Sequence, residues 1–221
     1  MLIVFDLDGT LIDSARDLAD STNEVLASYG AVPLPSDDVV AMVGDGARML
    51  LVRALAAAGA DAPLDDALGR FQRVYDRRLV LHTRPYAGIG EAVASLSARA
   101  SLAVLTNKPL APARKLLETF DLAARFRWVL GGDGPFPRKP DPAALAHLMA
   151  EAAVPAGRTL FVGDSPMDVA TARAAGVTLC LARYGFGHRN GSGPGPGDLV
   201  VDDPRDLART IERFLDQGSR T

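Results

Sequence analysis

One pattern, repeated through the second half of the chain, most constrains its fold: a compact apolar run, a turn, then an amphipathic stretch. Such alternation is what βα units around a parallel sheet produce, because each strand is buried on both faces and each crossover helix covers one of them. Strands are expected at 101–106, 127–130, 159–162 and 177–181, and the apolar opening at 2–5 supplies a fifth. Helices are expected at 89–98, 109–120, 142–153, 166–175 and 204–216. Four of these helices open on a proline, which first-turn positions tolerate. The fold class is therefore α/β, a doubly wound parallel sheet.

Residues 14–84 read differently. Long helical patterns at 47–58 and 64–81 occur there without a convincing strand, and 83–88 then carries the Pro85 and Gly88 of a linker. The expected organisation is an α/β core of residues 1–13 and 86–221, interrupted by an all-helical domain of residues 14–85. Hinges are expected at 11–14 and 86–88. The Gly- and Pro-rich stretch 187–197 is expected to be a flexible surface loop between a strand and the final helix.

Bulk properties narrow the function classes. The 221 residues are 48% hydrophobic, enough for a real core, and 24 basic against 27 acidic residues leave a net charge of -3. With no basic block, nucleic acid is a poor partner. The single cysteine, Cys180, sits in an apolar run and reads as a packed core thiol, so no intrachain disulfide is expected. The opening lacks a basic n-region and meets Asp6 and Asp8 too early for a signal peptide, and no uncharged apolar run approaches the roughly 18 residues of a membrane span. A cytoplasmic protein is the expectation.

In open parallel sheets, ligands bind beyond the carboxyl ends of the strands. After the first strand come Asp6 and Asp8, after the second core strand Thr106 and Asn107, and after the strand near 160 Asp164 and Asp168; the loop beyond 127–130 carries Lys139 before Pro140. This set suits phosphoryl transfer, where catalysis is mostly positioning and charge neutralisation. Carboxylates at this density call for a hard cation, and Mg²⁺ is the usual oxygen-loving choice beside phosphate. Lys139 and Thr106 are suited to the phosphoryl oxygens, as a point charge and a hydroxyl donor. Gly9 and Gly163 permit close backbone approach at the two acidic turns.

These residues resemble the haloacid dehalogenase superfamily. Asp6-Leu7-Asp8-Gly9-Thr10 is similar to its first motif, Thr106 to its second, Lys139-Pro140 to its third and Gly163-Asp164-Ser165-Pro166-Met167-Asp168 to its fourth, all in order. The helical insertion is similar to the family's small cap. The resemblance implies Asp6 as nucleophile and Asp8 as acid and base. It also implies Mg²⁺ held by Asp6, the backbone carbonyl of Asp8 and Asp164, with Asp168 acting directly or through water. Thr106-Asn107-Lys108-Pro109, Val43-Gly44-Asp45-Gly46-Ala47-Arg48 and Tyr184-Gly185-Phe186-Gly187 further resemble the phosphoglycolate phosphatase subgroup. A small phosphorylated metabolite is then the expected partner, with Gly9, Thr106, Asn107 and Lys139 at the phosphate and Arg48 a candidate for a substrate carboxylate.

Plainer readings apply elsewhere. Asp13 and Asp17 read as helix-start or solvated charges, Trp128 as core, and Arg53 as either a surface charge or a substrate contact. His82, His147 and His188 stand too far apart for a zinc site. An EF-hand is discounted because the Asp-x-Asp-Gly string lacks the next acid and the closing Glu. The rivals to a phosphatase are a receiver domain, which gives no reason for the insertion, a sugar-phosphate mutase of the same fold, and a noncatalytic relative.

Overall fold

In the computed structural model, which describes residues 1–187 and 193–218, strand β1 (Leu2–Phe5) runs through the middle of a six-stranded sheet. Its four side chains are fully buried, and they alternate between the two faces. Ile3 and Phe5 join one core with Val104, Leu160 and Val162, while Leu2 and Val4 join the other with Ala103, Leu105 and Phe161. A strand used on both faces in this way has no polar side, which is why 2–5 reads as an unbroken apolar run.

The remaining sheet strands are β4 (Ser101–Leu105), β5 (Trp128–Leu130), β6 (Thr159–Gly163), β7 (Thr178–Ala182) and β8 (Leu199–Val201), in the order β5-β4-β1-β6-β7-β8. Every pairing is parallel. Leu2 stands opposite both Ser101 and Thr159, so β1 lies between β4 and β6 and the winding reverses beside it. At such a reversal the connections diverge to opposite faces and leave a crevice at the strand ends. Helices α5 (Ile89–Ser97), α6 (Leu110–Thr119), α7 (Ala143–Ala152), α8 (Pro166–Ala175) and α9 (Leu207–Gly218) accompany the sheet.

Between β2 (Ile12–Asp13) and β3 (Arg84–Pro85) the chain makes α1 (Ala15–Ala27), α2 (Ser36–Val40), α3 (Ala47–Ala57) and α4 (Leu64–Arg78). Leu18, Val25 and Leu26 of α1 share a core with Phe71, Val74 and Tyr75 of α4, and the Phe71 and Tyr75 rings stack at 5.5 Å. The two connections pair antiparallel, Ile12 opposite Pro85 and Asp13 opposite Arg84.

Several expectations need correction. Strand β8 follows the expected 187–197 loop, at a place where no strand is expected; three residues beside a Gly- and Pro-rich stretch carry too little periodicity to register. The final helix is preceded by a separate 3-10 turn, Pro204–Asp206, and Pro109 and Pro142 sit just before their helices rather than within them. Trp128 is only partly buried on edge strand β5, with the Arg127 guanidinium 4.4 Å above its ring. Asp17 is no solvated charge. It is fully buried, and its Oδ2 accepts hydrogen bonds from His82 N at 2.9 Å and from Thr83 N and Oγ1 at 2.8 Å each, tying α1 to the segment that leaves α4. Part of the expected 187–197 loop, and His188 with it, lies outside the described residues.

Candidate active site

The site forms where the C-terminal ends of β1, β4 and β6 meet. Asp6 continues the β1 ladder through its N–H to Val162 O at 2.8 Å, and the chain then folds back so that Thr10, Leu11 and Ile12 all donate to Leu7 O. Gly9 makes this turn possible. Its φ is +86°, and a side chain there would collide with the Asp164 carboxylate. Gly185 passes equally close on the other side, against Gly9 O and Asp164.

Asp6, Asp164 and Asp168 each offer an oxygen within 4.8 Å of the others, and all three are buried. Asp164 accepts from Thr10 Oγ1 at 3.0 Å and from Gly187 N at 2.7 Å, one bond on each oxygen. Lys139 places its ammonium 2.9 Å from Asp6 Oδ1 and 2.6 Å from Asp168 Oδ1. Asp6 Oδ1 receives no well-aligned hydrogen bond despite that proximity. Burial drives the Asp6 carboxyl up to about 7; the Lys139 charge opposes the rise and Asp168 adds to it. Asp164 is likewise raised well above the usual carboxylate range, first by burial and then by Asp168 and Asp6. Burial would lower Lys139, but Asp168 and Asp6 outweigh it and hold the ammonium above the ordinary lysine value. Three buried carboxylates against one ammonium make an electron-rich oxygen cage, the donor set a divalent cation suits.

Asp168 is committed on both oxygens. Oδ1 meets Lys139, while Oδ2 accepts from Asp164 N at 3.1 Å, Ser165 N at 2.9 Å and Ser165 Oγ at 2.7 Å, and Ser165 and Asp168 close a capping box on α8. A side chain at Gly163 would strike it. Thr106 Oγ1 accepts from Lys108 N at 3.2 Å, which leaves its hydroxyl proton to donate. The Asn107 amide is fully engaged: Nδ2 donates to Gly44 O at 2.9 Å and Lys139 O at 3.0 Å, and Oδ1 accepts from Lys139 N at 2.9 Å. It ties the Lys139 loop to the insertion.

Asp8 stands apart from the three-carboxylate cluster. Its Oδ1 accepts from Ser14 Oγ at 2.6 Å and Lys108 Nζ at 3.0 Å, and its Oδ2 from Lys108 Nζ at 2.9 Å. Lys108, which sequence reasoning singled out only as part of a motif, is buried and also donates to Tyr75 Oη at 2.8 Å. Burial pushes the Tyr75 phenol up to about 12. Arg48 is not brought to the site: it is exposed on α3 and pairs with Asp65 at 2.5 Å. Arg53 braces the segment before α3, through Met42 O at 2.9 Å and the Asp45 carboxylate. His147 packs on Phe136 and His82 is exposed, and neither belongs to a cluster of metal-ligating groups among the described residues.

Above these residues lies a cavity of about 330 Å³. Asp6, Asp8, Thr106 and Asp164 line it, together with Leu50 and Phe71 of the insertion. Comparison with known proteins identifies the architecture. Residues 3–182 match the family model for haloacid dehalogenase-like hydrolases. The chain belongs to that family. As a haloacid dehalogenase-like hydrolase it is 41% identical over 221 residues to a phosphoglycolate phosphatase of Pseudomonas syringae pv. tomato, covering 97% of this chain and 80% of that one. It is 44% identical over 192 residues to a phosphoglycolate phosphatase of Rhodospirillum rubrum, covering 83% and 80%. Among solved structures, one described as a predicted phosphoglycolate phosphatase from Haemophilus somnus superposes with a TM-score of 0.87 at 30% identity, over 95% of this chain and 97% of that one. No helix among the described residues is long and apolar enough to cross a membrane.

Proposed function

We propose that the protein is a Mg²⁺-dependent phosphatase that works through an aspartyl phosphate on Asp6, with 2-phosphoglycolate as its substrate. Family membership and the phosphoglycolate phosphatase relatives support a phosphoric monoester hydrolase acting on a small phosphorylated substrate. The observation that carries the mechanism is the division between two kinds of acid at one sheet edge. Asp6 sits beside Lys139 in the cluster, while Asp8, two residues on, is held outside it.

In the first step Asp6 attacks phosphorus in line, the bond from phosphorus to the ester oxygen breaks, and Asp8 delivers a proton to the departing alkoxide. In the second step Asp8 takes a proton from water, the water oxygen attacks phosphorus, and the bond to Asp6 breaks to release inorganic phosphate. Lys139 and the Thr106 hydroxyl hold the phosphoryl oxygens, and the backbone at Gly9 lets the phosphate approach. Asp6, the Asp8 carbonyl and Asp164 would hold Mg²⁺, with Asp168 placing Lys139 and acting on the metal directly or through water. The bound ion supplies charge neutralisation for the nucleophile and the transferring group.

The domain assignment belongs to the same proposal. Residues 14–85 act as a cap that closes over the cavity, excludes water and reopens for product, with residues 1–13 and 86–221 as the catalytic core. The test is a panel of phosphate esters with Mg²⁺, with 2-phosphoglycolate set against sugar phosphates, pyrophosphate and nucleotides, and an acid-quenched single turnover with phosphorus-labelled ester that should leave labelled phosphate on Asp6. Asp6→Asn should lower turnover by about 10³-fold or more. An active Asp6→Asn variant, with no labelled phosphate trapped at residue 6 of the parent, would exclude the covalent route; return of phosphate to a sugar rather than to water would favour a mutase.

A further inference from the structure

Lys108 has no part in the chemistry set out above, yet it is the cation in contact with the acid/base. Removing an ammonium from water costs several kcal/mol unless its protons are well matched. Here they are: two reach the two oxygens of Asp8, at 3.0 and 2.9 Å, and the third reaches Tyr75 Oη at 2.8 Å. With Ser14 Oγ on Oδ1 at 2.6 Å, the Asp8 carboxylate is fixed from the start of α1, from the turn after β4 and, through Lys108, from α4. A purely structural ion pair would need only the first two. The Tyr75 contact crosses from the helical insertion to the sheet.

Other contacts cross the same boundary, among them Asn107 Nδ2 to Gly44 O at 2.9 Å and Lys115 to Asp76 at 3.1 Å, but neither Gly44 nor Asp76 leads to the acid/base. Tyr75 does, through one ammonium, and it lines the cavity beside its stacking partner Phe71. We propose that Lys108 is the positioning residue for Asp8, and that its hydrogen bond with Tyr75 makes that placement depend on the insertion being seated over the core. Asp8 is then aimed at the leaving-group oxygen only in the closed molecule. This inference rests on the acid/base role given to Asp8 above.

The consequence is read from the leaving group. An alkyl ester such as 2-phosphoglycolate needs a proton on its departing oxygen, whereas p-nitrophenolate departs from its phosphate without one. Because kcat/KM reports only steps through departure of the leaving group, the ratio of kcat/KM for the two esters isolates proton delivery from the later attack of water. The full-length protein with saturating Mg²⁺ is assayed on both. Lys108→Met should lose about 10²-fold on the alkyl ester and less than about 10-fold on the aryl ester, as expected when a general acid is misplaced rather than the phosphate site lost. Tyr75→Phe should shift the ratio the same way by about 3-fold, with thermal unfolding confirming that both variants fold. If Lys108→Met fails to fold, Lys108→Gln, which keeps an N–H donor beside Asp8 without the charge, is read in its place. Equal losses on the two esters at residue 108 overturn the positioning role. An unchanged ratio in Tyr75→Phe overturns the dependence on the insertion. A parent protein inactive on both esters defeats the phosphatase reading itself, a result distinct from either.

Discussion

Replacing Asp17 by Ala tests whether one buried carboxylate fastens the first helix of the insertion to the segment that closes it. Its Oδ2 accepts from His82 N, Thr83 N and Thr83 Oγ1. His82 is exposed, so its N–H can turn to water, but Thr83 is fully buried and would keep two donors without partners. At about 1–3 kcal/mol per orphaned donor, and with some relief because the buried, unpartnered Asp17 Oδ1 also disappears, the net cost comes to about 3 kcal/mol. For a chain of this size that lowers the unfolding midpoint by about 6–12 °C. Asp17→Asn retains an acceptor oxygen for the same donors and should cost about 1–2 kcal/mol, the loss of charge assistance and the burial of an unpaired amide. Urea titrations and calorimetry on the three proteins measure these differences. A cost below about 1 kcal/mol for Asp17→Ala would refute the reasoning, and equal costs for Ala and Asn would transfer the effect from acceptor geometry to charge.

Three further outcomes are expected. Arg48→Ala should leave kcat/KM for 2-phosphoglycolate within about 3-fold of the parent, since a guanidinium paired with Asp65 at the surface is worth little; a larger loss would return Arg48 to the substrate. In metal-free protein, Asp6 held up to about 7 and Asp164 held above its usual range bind protons more tightly folded than unfolded. Stability should therefore fall as pH rises from about 4 through 7, and added Mg²⁺ should raise the unfolding midpoint more at pH 8 than at pH 5; an equal rise at both would contradict the assignment. Burial pushes the Cys180 thiol up to about 12, so a thiol reagent at pH 8 should label it only after denaturant is added, and prompt labelling of the native protein would count against a packed core thiol.

The sheet edge was legible because a buried parallel strand announces itself as an apolar run, and the first polar residue after it marks the crevice. That rule places Asp6, Thr106 and Asp164 on one rim from the sequence alone. It says nothing about partners brought in from elsewhere. Lys108 follows an Asn in an ordinary-looking turn and is separated from Tyr75 by 33 positions, so only the approach of α4 to the turn after β4 shows that the two meet. Asp17 was misread for a related reason: an acid in the first turn of a helix has a sufficient local explanation in the helix dipole, and nothing local indicates that residues 82 and 83 will arrive beneath it. Arg48 had the opposite history. A cation after a glycine turn suited an anion, but α4 offers Asp65 on the outside. Strand β8 and the two-residue pairing of β2 with β3 are too short for any periodicity to show.

That small pairing has a consequence for inheritance. The chain departs the sheet domain at Asp13 and comes back at Arg84, directly across a two-residue ladder, so the gap is one strand spacing, about 5 Å. Seen from the sheet, a module of four helices occupies the place of a hairpin turn. A lineage can lengthen, trim or exchange that module without shifting the register of a single core strand. New leaving groups can then be sampled by recombination at two adjacent points, while the residues that handle phosphorus stay as they are.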